Sequence, residues 1–131
     1  MRTAKTELKV VKWEESPYET WDGGKLTRAH VTYGYQGEFE GEGVVEYLMA
    51  YHGEKGATFV GVERFTGRLG GRDGTCVMRH VGTSRPDGVV VDEREVVEGT
   101  GTGSLAGLRG RIKFESGQAE HYPLELAYDL A

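Results

Sequence analysis

The chain has 131 residues, a net charge of −5 and 28% charged side chains, enough for one domain with one core, so a single unit over residues 1–131 is expected. No run of Lys or Arg is present to release counterions from phosphates, which excludes nucleic acid as a partner, and no stretch approaches the roughly 20 apolar residues of a membrane helix. The single cysteine, Cys76, rules out an internal disulfide and the opening MRTAKTELKV lacks the apolar stretch of a secretory signal, so the expected setting is a reducing cytoplasm.

Twenty-one glycines against three prolines, without low complexity, mark tight turns, bulges and strand bends. Alternating apolar and polar residues define eight runs at the spacing of a sandwich or barrel. Residues 6–13 form the first run, and a loop through Ser16-Pro17 and Asp22-Gly23-Gly24 follows it. Residues 26–35 form the second and residues 39–51 a long third, which the turn His52-Gly53-Glu54-Lys55-Gly56 links to residues 58–66. After Gly70-Gly71-Arg72-Asp73-Gly74 come residues 75–81, then Arg85-Pro86-Asp87-Gly88 and residues 89–97, and finally residues 108–115 and 122–128. Short connections favour antiparallel neighbours. The chain is therefore expected to be all-β, an eight-stranded antiparallel closed barrel whose interior holds side chains or one small ligand, with a two-sheet sandwich as the competing layout.

Between the sixth and seventh runs lies GTGTGSLAGLRG, in which Gly101, Gly103 and Ala106 match a dinucleotide-binding fingerprint. That reading needs a helix beginning inside the motif and room for a βαβ unit, but Gly107 and Gly110 break any helix and little chain follows. The pattern T-G-x-L-x-G-x-x-G also occurs at Thr66–Gly74 and Thr102–Gly110. A cofactor loop has no reason to recur, whereas a bend in a barrel does, so the glycines are structural and no cofactor is expected.

Function is then sought among polar residues on faces that should be apolar. Phe59, Gly61, Glu63 and Phe65 share one face of the fourth run, and Cys76, Met78 and His80 one face of the fifth. Short hairpins place Glu63 across from His80 and Glu46 across from Glu63, giving a row of Glu46, Glu63 and His80 flanked by Leu48, Phe59, Phe65 and Met78. Two carboxylates close together in a dry site raise one pKa, and an imidazole beside them can hold or pass the proton, which is general acid/base chemistry. The alternative is that the two glutamates face solvent. Arg28 is a candidate counter-ion for Glu46, and Trp13, Tyr33 and Tyr35 are candidates to line a ligand pocket. The four histidines show no metal-ligand spacing, and Cys76 has no cationic neighbour that would activate it. Val45, Tyr47 and Met49, with Val60 and Val62, make the opposite face apolar as well, so another subunit is expected to cover it, making the protein a homo-oligomer.

Glu46-Tyr-Leu-Met-Ala-Tyr51, Phe59-Val-Gly-Val-Glu-Arg-Phe-Thr-Gly67 and Gly101-Thr-Gly-Ser-Leu-Ala-Gly-Leu-Arg-Gly110 resemble an uncharacterised bacterial family, the domain of unknown function numbered thirty-two twenty-four, over roughly residues 6–128. That resemblance implies an eight-stranded barrel of the allene-oxide-cyclase-like group. Gly101-Thr-Gly103, Gly107, Gly110 and Ile112-Lys-Phe114 are similar to the late-strand motif of allene oxide cyclases and dirigent proteins, while the N-terminal half shows no likeness to those plant enzymes. The group implies ring closures steered inside an apolar cavity without a cofactor, with a carboxylate supporting developing charge, a part that Glu63 or Glu46 would take here. The expected function is thus binding of an apolar small molecule by a cofactor-independent cyclase or isomerase. A passive carrier or a filled structural barrel is the alternative.

Overall fold

The alternation extends along almost the entire chain in the computed structural model, which describes residues 1–117 and 121–130. Eight strands form, β1 (Arg2–Trp21), β2 (Gly24–Gly37), β3 (Phe39–Tyr51), β4 (Ala57–Leu69), β5 (Arg72–Ser84), β6 (Val90–Val96), β7 (Arg109–Ser116) and β8 (His121–Asp129). Each pairs antiparallel with its neighbour in sequence, and β8 returns to β1 from Arg2 opposite Tyr128 to Lys9 opposite His121. This last pairing closes the barrel and excludes the sandwich, and it removes the two open edges that an eight-stranded sheet would otherwise expose. The remaining regular elements among the described residues are two single 3₁₀ turns, Gly53–Lys55 and Gly103–Leu105, and no helix is long and apolar enough to cross a membrane.

Three details differ from the sequence reading. The predicted loop at Ser16-Pro17 is strand, since β1 and β2 pair as far as Trp21 opposite Gly24, with register shifts at Val10/Lys12 and Pro17/Glu19. Proline is tolerated there because it lies beside a bulge and beyond the part of β1 that pairs with β8. The β4–β5 hairpin closes on two residues, Gly70 and Gly71, which pairs Glu63 with Met78 rather than His80. A displacement of two residues keeps every side chain on its expected face. The β3–β4 connection instead holds an odd number of residues, His52 to Gly56, closed by His52 N donating to Gly56 O at 3.1 Å. That one-residue slip inverts β3, so Val45, Tyr47 and Met49 point inward while Glu46 and Leu48 point outward.

The glycine-rich stretch forms the floor of the barrel. Thr102 N donates to Thr75 O at 2.9 Å, Thr75 N donates back to Thr102 Oγ1 at 3.1 Å, and Leu105 and Leu108 are fully buried beneath the interior. Gly74 lets this loop lie directly on β5, since a Cβ there would overlap the Thr102 carbonyl. The two repeat copies each contribute a buried leucine, Leu69 and Leu105, although the first is a hairpin and the second a 3₁₀ turn. Above this floor Phe39, Phe65, Cys76 and Met78 fill the interior, leaving the opposite end open.

Candidate functional site

Side chains from β2 to β6 meet at mid-barrel. Tyr47, Gly61, His80 and Arg94 are successive cross-strand partners, with Glu63 one step toward the floor and Asp92 one step toward the open end. Glycine suits the centre of this row because a Cβ at Gly61 would enter the Tyr47 ring, and one at Gly43 would overlap the Glu63 carboxylate. Small residues beside large ones allow the interior to be filled.

The cluster is charged yet dry, with Glu63 0%, His80 1%, Arg94 2% and Asp92 4% exposed. His80 Nε2 lies 2.6 Å from Glu63 Oε1, and Nδ1 lies 3.1 Å from Asp92 Oδ2 and 3.2 Å from the Tyr47 hydroxyl. The Arg94 Nε donates to Asp92 Oδ2 at 2.9 Å, and its Nη1 bonds to the Tyr35 hydroxyl and stands 3.7 Å from Glu63 Oε1. Tyr35 in turn donates to Glu63 Oε2 at 2.7 Å. The guanidinium also lies over the Tyr33 ring, 4.7 Å from its centroid, and Tyr33 and Tyr47 share a hydrogen bond of 2.8 Å. Buried charges are tolerable only when partnered this fully.

Burial alone would raise the Glu63 carboxyl, but the His80 hydrogen bond, the Arg94 charge and the Tyr35 hydroxyl outweigh it and hold the group below the ordinary range. Asp92 is lowered in the same way, its burial being overcome by the His80 bond and the Arg94 charge. Burial pushes Tyr35 and Tyr47 well above the ordinary phenol value, which keeps them as hydrogen-bond donors. His80 has a partner in either protonation state. When neutral, its Nδ1 can accept from Tyr47, and when charged, the same nitrogen can donate to Asp92.

Above the network lies a cavity of about 530 Å³ open at the end of the barrel. Its wall is largely aromatic, with Trp13, Tyr33, Tyr47, Tyr51, Phe59 and Phe114 among the lining residues, and its floor carries Asp92 and Arg94. Asp92 Oδ2 faces the network, whereas Oδ1 is buried without any hydrogen-bond partner among the described residues. At the mouth Glu15 accepts from Tyr51 at 2.5 Å, Thr27 at 2.7 Å and the Trp13 indole at 2.9 Å, bracing two of the lining rings.

The sequence profile of a family described as a protein of unknown function (DUF3224) matches residues 4–128. The chain belongs to this family. It is also similar to a crystal structure of a DUF3224 protein of unknown function from Shewanella oneidensis MR-1, with a TM-score of 0.79 and 30% identity over 99% of this chain and 96% of that one. No curated protein matches the chain.

In this DUF3224 barrel the predicted row is only partly assembled. Glu63 and His80 meet inside, as diagonal rather than opposite neighbours, with Phe65 and Met78 packed toward the floor and Phe59 on the cavity wall. Glu46 and Leu48 lie on the outer surface because β3 is inverted, Arg28 lies there because the alternation of β2 turns Thr27 and Ala29 inward, and Glu46 pairs with His30 at 2.5 Å. No carboxylate pair forms to raise a pKa, and Glu63 is held ionised instead. Trp13 lines the cavity, and Tyr35 lies beneath it in the network. Asp92, Arg94 and Tyr47 escaped the sequence reading. The Tyr47 face would have followed from the correct loop length, whereas β6 gives no phase, since Asp92 and Arg94 alternate with Glu93 and Glu95 between valines.

Proposed function

We propose that this DUF3224 barrel binds an apolar small molecule bearing a hydrogen-bond donor, and that it acts as a cofactor-independent isomerase or cyclase by handling the proton of that group. The observation that carries this reading is Asp92 Oδ1, a buried carboxylate oxygen without a hydrogen-bond partner among the described residues, on a side chain that lines an aromatic cavity of about 530 Å³. An unsatisfied buried acceptor costs about 1–3 kcal/mol or more, and a ligand donor relieves that cost. The volume lies within the range of roughly 300–1,000 Å³ that holds small ligands. Asp92 is the group that touches the ligand, while His80 and Glu63 are positioning residues behind it. A proton accepted at Oδ1 stays on the Asp92 carboxyl, whose other oxygen is fixed by Arg94 Nε at 2.9 Å and faces His80 Nδ1 at 3.1 Å. It can be returned from Oδ1 to a different atom of the substrate without change in oxidation state. The similarity of the glycine-rich floor to allene-oxide-cyclase motifs supports ring closure or isomerisation as the reaction.

A passive carrier is the second reading, favoured by one observation. Asp92 is held below the ordinary carboxyl range and is therefore a weak base, better suited to recognition than to proton abstraction. The decisive experiment identifies by mass spectrometry what copurifies with the protein, then titrates that compound back into emptied wild-type and Asp92→Asn proteins. The proposal expects at least about tenfold weaker binding to Asp92→Asn, and a rearranged isomer released only by the wild type. Equal affinity for both proteins would overturn the binding mode, and a compound returned unchanged would leave the carrier.

A further inference from the structure

We propose that a second copy of this chain docks on the outer face of β3, β4 and β5, forming a twofold dimer whose axis runs along β4. This inference is independent of the cavity. Leu48, Val60 and Val81 are successive cross-strand partners on that face, and Glu46, Val62 and Arg79 form the adjoining row. The four aliphatic side chains are 47% (Leu48), 49% (Val60), 58% (Val62) and 57% (Val81) exposed. Single exposed aliphatics are ordinary, but four together across three strands form a patch of the kind that marks an interface.

The order of charges in the rows identifies the occupant. The first row reads apolar, apolar, apolar and the second acid, apolar, base, so each is complementary to itself when reversed. Rotation about an axis along β4 lays β3 of one copy over β5 of the other. Val60 and Val62 then meet their own counterparts, Leu48 meets the second copy's Val81, and Glu46 meets the second copy's Arg79, twice by symmetry. Stacking without that reversal would set Glu46 against Glu46 and Arg79 against Arg79, so the charges select one orientation. Within its own chain Glu46 already bonds His30, and Arg79 bonds Glu95, which holds both side chains on this surface. β2 and β6 curve away with the barrel, leaving Arg28, His30, Glu93 and Glu95 as a polar rim. Arg64, the next outward residue of β4, would meet its own copy, which ends the contact there.

The test is sedimentation equilibrium of the full chain at micromolar concentration, with wild type, Glu46→Arg, Arg79→Glu and the double exchange. Wild type is expected to be a dimer, each single exchange to weaken it by at least about tenfold, and the double exchange to restore it. Restoration separates contact between copies from an effect within one chain, because the two residues sit on strands separated by β4 and do not touch. Val60→Lys, which changes no charge pair, should also yield a monomer with an unaltered circular dichroism spectrum. A monomeric wild type, a dimer indifferent to both single exchanges, or a double exchange that stays dissociated would each overturn the proposal.

Discussion

Glu63 has no contact with solvent and stands between His80, Arg94 and Tyr35, so its charge is tied to theirs. Glu63→Leu would leave a buried guanidinium with only Asp92 as its carboxylate, and removal of one member of such a network costs about 3–5 kcal/mol. Glu63→Gln retains the shape and one acceptor oxygen, and should cost less, about 1–3 kcal/mol. Urea unfolding of the two variants checks the ranking, and a leucine variant as stable as wild type would show that the network contributes nothing to the fold. Glu63 and His80 were legible in the sequence because Phe59, Phe65, Cys76 and Met78 fix which faces of β4 and β5 are interior, and an error of two residues in register does not alter that. Asp92 and Arg94 were not. A strand with charges and valines on both faces carries no phase, and only its pairing to β5, with His80 opposite Arg94, reveals which charges are buried.

Hairpins are where local chemistry determines the longer-range arrangement. Gly70 and Gly71 both have positive φ, 56° and 84°, which is the two-residue primed turn that matches the twist of paired strands. A Cβ at either position meets nothing within 4 Å, so substitution there probes the backbone conformation alone. Gly70→Asn should be nearly neutral, because asparagine adopts the left-handed region readily, whereas Gly70→Val should lose about 1–2 kcal/mol. Thermal unfolding of the pair decides this, and equal losses for both would indicate that space rather than conformation is limiting. This hairpin shows why strand existence was readable while register was less so. All eight strands were apparent from alternation, but the side to which β3 turns depends on whether its loop holds an odd or even number of residues. In Val44-Val-Glu-Tyr-Leu-Met49 both faces are apolar enough to be core. The extension of β1 through Pro17 was hidden for a different reason, since bulges shift the alternation and proline usually signals a break.

At the scale of the whole molecule, a charged network inside a barrel makes folding depend on acidity. Glu63 and Asp92 both lie below their ordinary values of 4.5 and 3.8 when folded, so on acidification the unfolded chain takes up their protons first. Their contribution to stability is therefore complete above those ordinary values and is lost as the pH falls through the lowered ones. The part of the stability that these two carboxylates supply should be flat from neutral pH down to about 5 and then decline. An acidified chain also gains general positive charge, which destabilises any compact state and would blur the interpretation of wild type alone. Comparison with Glu63→Gln removes that ambiguity, because the two proteins share every other titrating group. The variant is less stable at neutral pH but has no proton to take up at this position, so its acid limb should be shallower. The two stability curves should converge at low pH, where wild-type Glu63 becomes a neutral acid resembling the amide. Curves that instead run parallel from pH 7 to pH 3 would mean that Glu63 titrates alike in the folded and unfolded chain, and that the contacts from His80, Arg94 and Tyr35 do not hold its charge.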